Sequence, residues 1–202
     1  MVADIGTDHA YLPVWAVLEG VAKSAVASDI REGPAERAQA TIAKYNVQDF
    51  VKVIVAPGLD GINLDDVDDV VIAGMGGETI ISILEAAEPV KYLILQPQTN
   101  LPLVRQYLAA HGYAFTERIV FEGEKIYHIL KADYTGRPYE LSQYDVKIGR
   151  PDGDVARYEE KLKNRANKQI DGLKMAANIN EEAMLDAAKM IELLGGQNDD
   201  NK

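Results

Sequence analysis

Apolar and polar positions run along the chain in short blocks whose period switches between two residues and three to four. An apolar stub, Val2-Ala3, passes through Asp4-Ile5-Gly6, turns at Thr7-Asp8-His9 and enters a helical pattern at Ala10-Tyr11-Leu12. Strand, glycine turn and helix in that order predict the first crossover of a nucleotide-binding α/β domain. The helix covers 12–20, with Pro13 near its start and Gly20 as its stop. A small-residue strand over 22–29 follows, then a helix over 31–45 and an alternating strand over 50–55. Asp65, Asp66, Asp68 and Asp69 around Val67 read as a solvated loop. Val70 to Ala73 is wholly apolar, as a central parallel strand buried on both faces should be. It runs into Gly74-Met75-Gly76-Gly77 and a helix over 78–87. A fifth strand covers 92–95 and a helix covers 101–111, closed by Gly112. Strands over 113–121 and 125–132 form a hairpin about Glu122-Gly123-Glu124.

This α/β domain spans 1–133. Residues 134–154 carry Gly136, Pro138, Gly149, Pro151 and Gly153 and read as a linker. Two helical patterns, 155–177 and 180–194, are split by Asn178-Ile179-Asn180 and stopped at Gly195-Gly196. A short connection between two helices predicts an antiparallel hairpin, here 155–196. The tail 197–202 is expected to be disordered. The first strand is short against a usual length of about 5–6 residues, which predicts a further segment upstream in the full protein.

Composition narrows the function classes. A hydrophobic content of 47% with 26% charged residues is that of an ordinary globular protein. The absence of Cys excludes disulfides and thiolate metal sites. His9, His111 and His128 are scattered, so no metal site is expected. No apolar run approaches the roughly 18–20 residues of a membrane span, and no leader pattern opens the chain; the expectation is a cytoplasmic protein. A net charge of −11 opposes non-specific nucleic-acid binding, so any RNA contact needs a local basic patch. The first C-terminal helix supplies one: Arg157, Lys161, Lys163, Arg165, Lys168 and Lys174 stand against Glu159, Glu160 and Asp171. Such a face is either merely solvated or an RNA contact, with Lys161, Arg165 and Lys168 as its candidates.

The first turn carries the earliest chemical signal. A dinucleotide fingerprint reads G-x-G-x-x-G, but Asp8 and Tyr11 hold its second and third glycine positions. That argues against a pyrophosphate on the helix N-terminus. Carboxylates at a strand end suit a cationic, hydroxyl-rich ligand, and S-adenosylmethionine fits that description. Asp29, about 20 positions past the glycine turn, is placed to bond ribose hydroxyls or, alternatively, to cap the next helix. Asp4, Gly6, Asp8 and Asp29 form the leading cofactor set. Three glycines among 74–77 let the backbone approach a flat ligand closely.

Four strings carry a resemblance: ADIGTDHAYLP from Ala3, VIAGMGGETI from Val71, LILQPQTN from Leu93 and EGEKIYHIL from Glu122. Together they resemble the bacterial TrmK tRNA methyltransferases, which use S-adenosylmethionine to methylate nitrogen 1 of adenosine 22. The resemblance implies a Rossmann-like class I methyltransferase sheet with a C-terminal antiparallel, coiled-coil-like helical hairpin that helps hold tRNA. It extends the cofactor set to Thr7, His9, Ile30, Gly58, Leu59, Ala73 and Gly74. Pro57 stands where that family usually has an Asp facing the cofactor's adenine, leaving the adenine to the backbone around Gly58 and Leu59. The family also usually has a helical segment ahead of its first strand.

Methyl transfer to a ring nitrogen uses a lone pair, so no proton has to leave before attack, and alignment supplies most of the rate. Enzymes acting on exocyclic amines often carry Asn/Asp-Pro-Pro-aromatic after the fourth strand; Ala73 to Gly77 stand there instead. Asp8 is the candidate for stabilising charge that develops on the ring, with Met75 and Gly76 beside the reacting atoms. The target base leaves its stack, and Tyr11 and Met75 either pack on it or pack within the domain. Gly77 belongs to the substrate floor. His9 is a donor or a cap; Gln96 and Asn100 bond a base edge or merely start a turn and helix. The expected partner is tRNA, with no membrane and no metal, and a monomer is favoured. The alternatives are a non-catalytic cofactor- or RNA-binding protein on this fold and a small-metabolite methyltransferase.

Overall fold

The computed structural model describes residues 1–175 and 180–195. The expected break at Asn178 and Ile179, the stop at Gly196 and the tail 197–202 lie outside the described residues. Seven strands form one sheet: β1 Val2–Ile5, β2 Ala25–Asp29, β3 Val51–Val55, β4 Asp69–Gly76, β5 Tyr92–Thr99, β6 Tyr113–Glu122 and β7 Lys125–Tyr134. Their order is β3-β2-β1-β4-β5-β7-β6. The first five are parallel, β7 runs antiparallel to β5, and β6 closes the edge antiparallel to β7. The order reverses at β1, which lies between β2 and β4, so the crevice at their C-terminal ends is the ligand position of such sheets.

Helices cover both faces. α1 Tyr11–Leu18 and α2 Glu32–Lys44 pack on β2 and β3 around Val14, Ala27, Ala38 and Ile42. α3 Gly77–Glu85 and α4 Leu101–Ala110 cover the other face, where Ile80 and Leu108 meet Ile72, Leu93 and Leu95 without solvent. Val70, Val71 and Ile72 are buried, as their unbroken apolar run requires.

Two strands run further than their hydrophobic runs. β4 continues through Gly74-Met75-Gly76, and β5 continues through Gln96 to Thr99, with Gly76 paired to Thr99. The register slips between Ala73 and Met75 and again between Met75 and Gly76, and Gly74 takes a φ of 78°. The glycine segment is therefore a bulged strand end, a device that re-aims backbone beside a site.

The stretch 134–154 differs from the expected linker. It holds α5 Gln143–Lys147, buries Ile148 and Gly149, and bonds Asp152 to the backbone of Glu117 and Ile119 on β6. The physical reason is Arg105 of α4, whose guanidinium donates to the Val146 and Ile148 carbonyls at 2.9 Å each. Beyond it, α6 Val155–Met175 and α7 Glu181–Gly195 pack together. Leu194 at the end of α7 shares a cluster with Tyr158 at the start of α6, so the two run antiparallel, and both close on Ile119 of β6. Among the described residues no helix is long and apolar enough to cross a membrane.

Candidate cofactor and acceptor sites

The end of β1 is built to bring backbone, rather than side chains, to the crevice. Gly6 turns there at φ 77°, a conformation that disfavours any side chain, and its amide donates to the Ser28 carbonyl at 2.7 Å. A Cβ on Gly6 would collide with the Met75 methyl group. Met75 of β4 thus lies over the turn with its flexible thioether. Thr7 is buried, and its hydroxyl accepts the Ala10 amide at 3.0 Å, which starts α1. Asp4 is buried beneath the same turn, and burial pushes its carboxyl above the usual range, partly offset by the Thr7 hydroxyl.

Asp8 is not a free carboxylate. Its Oδ1 accepts from Arg37 of α2, with Nε at 3.1 Å, and its Oδ2 lies 3.4 Å from His9 Nε2. The Arg37 contact holds its pKa below the usual carboxylate value. His9 stacks on Tyr11, with ring centroids 5.1 Å apart, and Tyr11 is well exposed. Asp8, expected to neutralise charge on an acceptor, is paired at the surface with Arg37 in this structure.

Asp29 at the end of β2 is 7% exposed, and only its Oδ1 is engaged, accepting the Arg31 amide at 2.9 Å. One oxygen caps the turn, and the other has no hydrogen-bond partner among the described residues. Ile30 beside it is 64% exposed, an apolar flank of the kind a flat ring covers. Past β3, Gly58 turns at φ 54°, and Leu59 is buried in the core, so this stretch offers main chain to a ligand and not the leucine side chain. Pro57 to Leu59 border a hollow of about 490 Å³ that reaches Ile83 and Ala87.

The residues present fit S-adenosylmethionine. A side-chain-free turn at Gly6, a half-used carboxylate at Asp29 and an exposed Ile30 stand at adjacent strand ends, since Ile5 pairs with Ser28 on one side and Ile72 on the other. Ala73 and Gly74 are exposed at the end of β4, next to the same opening. Among the described residues no group of His, Cys, Asp or Glu is arranged to hold a metal.

A second opening, of about 870 Å³, lies between the end of β5, β7 and the helical hairpin, and Gln96, Thr99, Asn100, His128 and Arg165 are among the residues lining it. Gln96 spends its side chain on main chain, accepting the Gly74 amide at 3.1 Å, so it braces the bulged end of β4. Asn100 takes φ 53° and starts α4, with no capping bond from its side chain. Gly77 is buried under that start: a Cβ there would stand 2.7 Å from the Thr99 carbonyl and 2.9 Å from that of Asn100. Its smallness is a packing requirement, whereas a Cβ on Gly76 next to it would meet side-chain hydroxyls, of Thr99 at 3.1 Å and Thr79 at 3.9 Å.

The basic helix divides its charges. Lys161 donates to the Glu124 carbonyl and carboxylate at 2.6 Å each, and Arg157 donates to the Gly123 carbonyl at 2.7 Å while stacking on Phe121. These two fasten α6 to the β6–β7 turn. Arg165 and Lys168 are exposed, and Arg165 lines the opening. Sequence reasoning missed Lys125, His128 and Lys147, which line the same opening. Alternation along β7 placed Lys125 and His128 on a strand but gave no sign of what that strand faces, and Lys147 fell in the stretch read as a linker.

The sequence profile of the family described as TrmK, tRNA (adenine(22)-N(1))-methyltransferase, matches residues 2–193. The tRNA (adenine(22)-N(1))-methyltransferase of Bacillus subtilis is 37% identical over 138 residues, 66% of this chain; the chain spans 58% of that relative's length. The structure of Mycoplasma capricolum TrmK bound to S-adenosyl-homocysteine superposes with a TM-score of 0.84 at 26% identity, over 96% of this chain and 88% of that one. A Streptococcus pneumoniae protein in complex with S-adenosyl-L-methionine gives 0.82 at 31% identity, over 96% and 91%.

Proposed function

Because the chain belongs to the TrmK family of tRNA (adenine(22)-N(1))-methyltransferases, we propose that it transfers a methyl group from S-adenosylmethionine to nitrogen 1 of adenosine 22 in tRNA. The observation that carries this reading is that the strand ends bearing Gly6 and Asp29 lie on the same sheet edge as the opening beyond Gln96. The crevice at Gly6 and Asp29 suits the methyl donor, and the 870 Å³ opening beyond Gln96 suits a nucleoside. The Gly74–Gln96 hydrogen bond joins the two.

The donor supplies a methyl group on a positively charged sulfur. What the chain supplies is alignment. Asp29 holds the ribose through its free oxygen, the Gly6 turn lets the amino-acid end of the donor lie against main chain, and the bulge at Gly74 to Gly76 leaves a side-chain-free floor between donor and acceptor. N1 of adenine attacks with its lone pair, so no general base is required, and holding the reacting atoms in line accounts for most of the acceleration. Arg165 and Lys168 contact phosphates of the tRNA, while Lys161 and Arg157 keep the hairpin docked.

A methyl-transfer assay with labelled S-adenosylmethionine and unmodified bacterial tRNA, with mass mapping of the product nucleoside, tests the reading. Label in 1-methyladenosine at position 22 is the expected result. Binding of S-adenosylmethionine without transfer to any tRNA, or transfer to a small metabolite instead, would overturn it.

A further inference from the structure

The pairing of β5 with β7 ends at Leu95 opposite Leu130. Two residues beyond that pair on β7 stands His128, at the wall of the acceptor opening. Its Nδ1 lies 2.5 Å from Glu117 Oε1. Glu117 is in turn held by Arg105, with Nη2 at 2.7 Å and Nε at 2.8 Å, and the arginine is fully enclosed. Burial alone would raise the Glu117 carboxyl; the contacts with His128 and Arg105 outweigh it and leave it below the usual range.

An ionised carboxylate offers only lone pairs. The hydrogen between Glu117 and His128 therefore sits on Nδ1, the tautomer in which Nε2 is an acceptor. Nε2 has no hydrogen-bond partner among the described residues, and it is not sealed: the one sealed side-chain polar atom without a partner there is Ser28 Oγ. Tyr158 meets the imidazole edge-on at 5.2 Å and fixes its plane, while the Tyr158 hydroxyl is spent on the Ile148 carbonyl at 2.9 Å. The acceptor is thus pinned in direction from behind, by a glutamate, an arginine and a tyrosine drawn from β6, α4 and α6. The charged side chains that line the opening, Lys125, Lys147 and Arg165, are all donors.

Resting on the proposed reaction, we infer that His128 Nε2 accepts a hydrogen bond from the 6-amino group of the target adenine and so aims N1 at the methyl donor. The Watson–Crick edge of adenine places that amino group directly beside N1. It is the one donor on this edge, and gripping it leaves the N1 lone pair free. As the N1–methyl bond forms and the methyl–sulfur bond breaks, the bonding electrons leave with sulfur and no proton moves. Positive charge then spreads from N1 onto the amino nitrogen, whose hydrogens become stronger donors. An acceptor placed there binds the transition state more tightly than the ground state, which is how such a contact raises kcat. Glu117 and Arg105 act through His128 as positioning residues.

The test is a double-substitution cycle between side chain and base. One substrate is full-length unmodified tRNA; the other carries purine, which lacks the amino group, at position 22. Wild type is compared with His128→Phe and His128→Gln under single turnover, with cofactor affinity by calorimetry confirming that each variant is folded. Every enzyme form loses rate on the purine substrate because N1 loses the electron donation of the amino group; wild type is expected to lose about tenfold more than His128→Phe does, the effect of one hydrogen bond near the upper neutral range. His128→Phe should lose a similar factor on adenine and show no loss relative to wild type on purine. His128→Gln, which can donate to Glu117 and accept with its amide oxygen, should restore part of the adenine rate. Equal losses on both substrates, or a His128→Phe rate on adenine equal to wild type, overturn the assignment while leaving the reaction intact. Failure of wild type to methylate any tRNA overturns the reaction itself, and this assignment with it.

Discussion

Arg105 and Glu117 form a two-bond ion pair at 2.7 and 2.8 Å with both side chains withheld from solvent. The pair joins α4 to β6, and the remaining donors of the same guanidinium hold the turn after α5 through Val146 and Ile148. Gly149 passes directly over the guanidinium, where a Cβ would stand 2.6 Å from Nη2. One side chain therefore fixes three elements that share no local sequence.

Removing one partner of such a pair strands the other as an uncompensated buried charge, at a cost of about 3–5 kcal/mol. Arg105→Met is expected to destabilise by that amount in urea unfolding at neutral pH, and by clearly less when Glu117→Gln is present as well. The pH dependence follows from the lowered Glu117 pKa. A depressed carboxylate contributes stability that is fully present above its unfolded value of about 4.3 and is lost as pH falls through the lower folded value. The gap in midpoint between wild type and Glu117→Gln should accordingly shrink on acidification below about pH 4.3. A gap that stays constant through that range would show that the carboxylate is not ionised in the fold.

Gly77 and Gly74 stand three residues apart in one glycine-rich segment and should fail differently. A methyl group on Gly77 would press on the main-chain oxygens of Thr99 and Asn100 and on Val104, none of which can swing aside. Gly77→Ala is expected to cost about 1–3 kcal/mol of stability through overpacking. Gly74 has open space around it, its nearest neighbour being Gln98 Nε2 at 3.7 Å, and only its φ of 78° resists a side chain. Gly74→Ala should cost about 1–2 kcal/mol and mainly lower the transfer rate, because it disturbs the floor between the two openings. Thermal unfolding and single-turnover rates, measured on both variants, separate the two; a Gly77→Ala protein as stable as wild type would contradict the packing role.

The same segment marks how far the sequence could be read. The apolar runs at 70–73 and 92–95 made the central strands legible, because burial on both faces leaves no room for alternation. Their continuation through glycines and Pro97 was not legible, since it depends on Gly76 meeting Thr99 across the sheet. Residues 134–154 have the Gly and Pro content of a linker, and what docks them is Arg105, roughly forty positions upstream. Asp8 was legible as a carboxylate at a ligand-binding edge, but its partner Arg37 comes from another helix. His128 lay inside the EGEKIYHIL string but carried no role there, because a single histidine in an alternating strand is unremarked until Glu117 is placed behind it. Local pattern revealed the scaffold; the pairings that tune the site are long-range.

Asp29 offers a direct test of the cofactor crevice. Oδ1 is used by the Arg31 amide, and the second oxygen is the one available to a ribose. Asp29→Ala removes both and is expected to weaken S-adenosylmethionine binding by about 1.5–3 kcal/mol, the range for hydrogen bonds to a charged group. Asp29→Asn keeps an oxygen for Arg31 and should retain wild-type stability while losing a smaller part of that affinity. Calorimetric titration of both variants decides the matter: dissociation constants equal to wild type would leave Asp29 as a turn cap alone.

Lys161 and Arg165 lie one helical turn apart on α6 yet are committed to different partners. Lys161 is held by Glu124 at 2.6 Å, whereas Arg165 borders the acceptor opening and is exposed. Each phosphate contact made by a cation releases condensed counterions, so its removal lowers the salt dependence of binding by close to one unit of slope. Arg165→Ala is therefore expected to weaken tRNA binding and to flatten the plot of log affinity against log salt by about 0.7–0.9. Lys161→Ala should leave the slope nearly unchanged, because that charge already has a protein partner. Lys161→Glu combined with Arg165→Glu should weaken tRNA binding further while cofactor affinity stays at the wild-type value. Affinity measured by filter binding across a salt series distinguishes these roles. Equal slope changes for the two alanine variants would place both side chains on phosphates and remove the distinction drawn from Glu124, and a parallel loss of cofactor affinity in the double variant would mean that the hairpin also shapes the crevice.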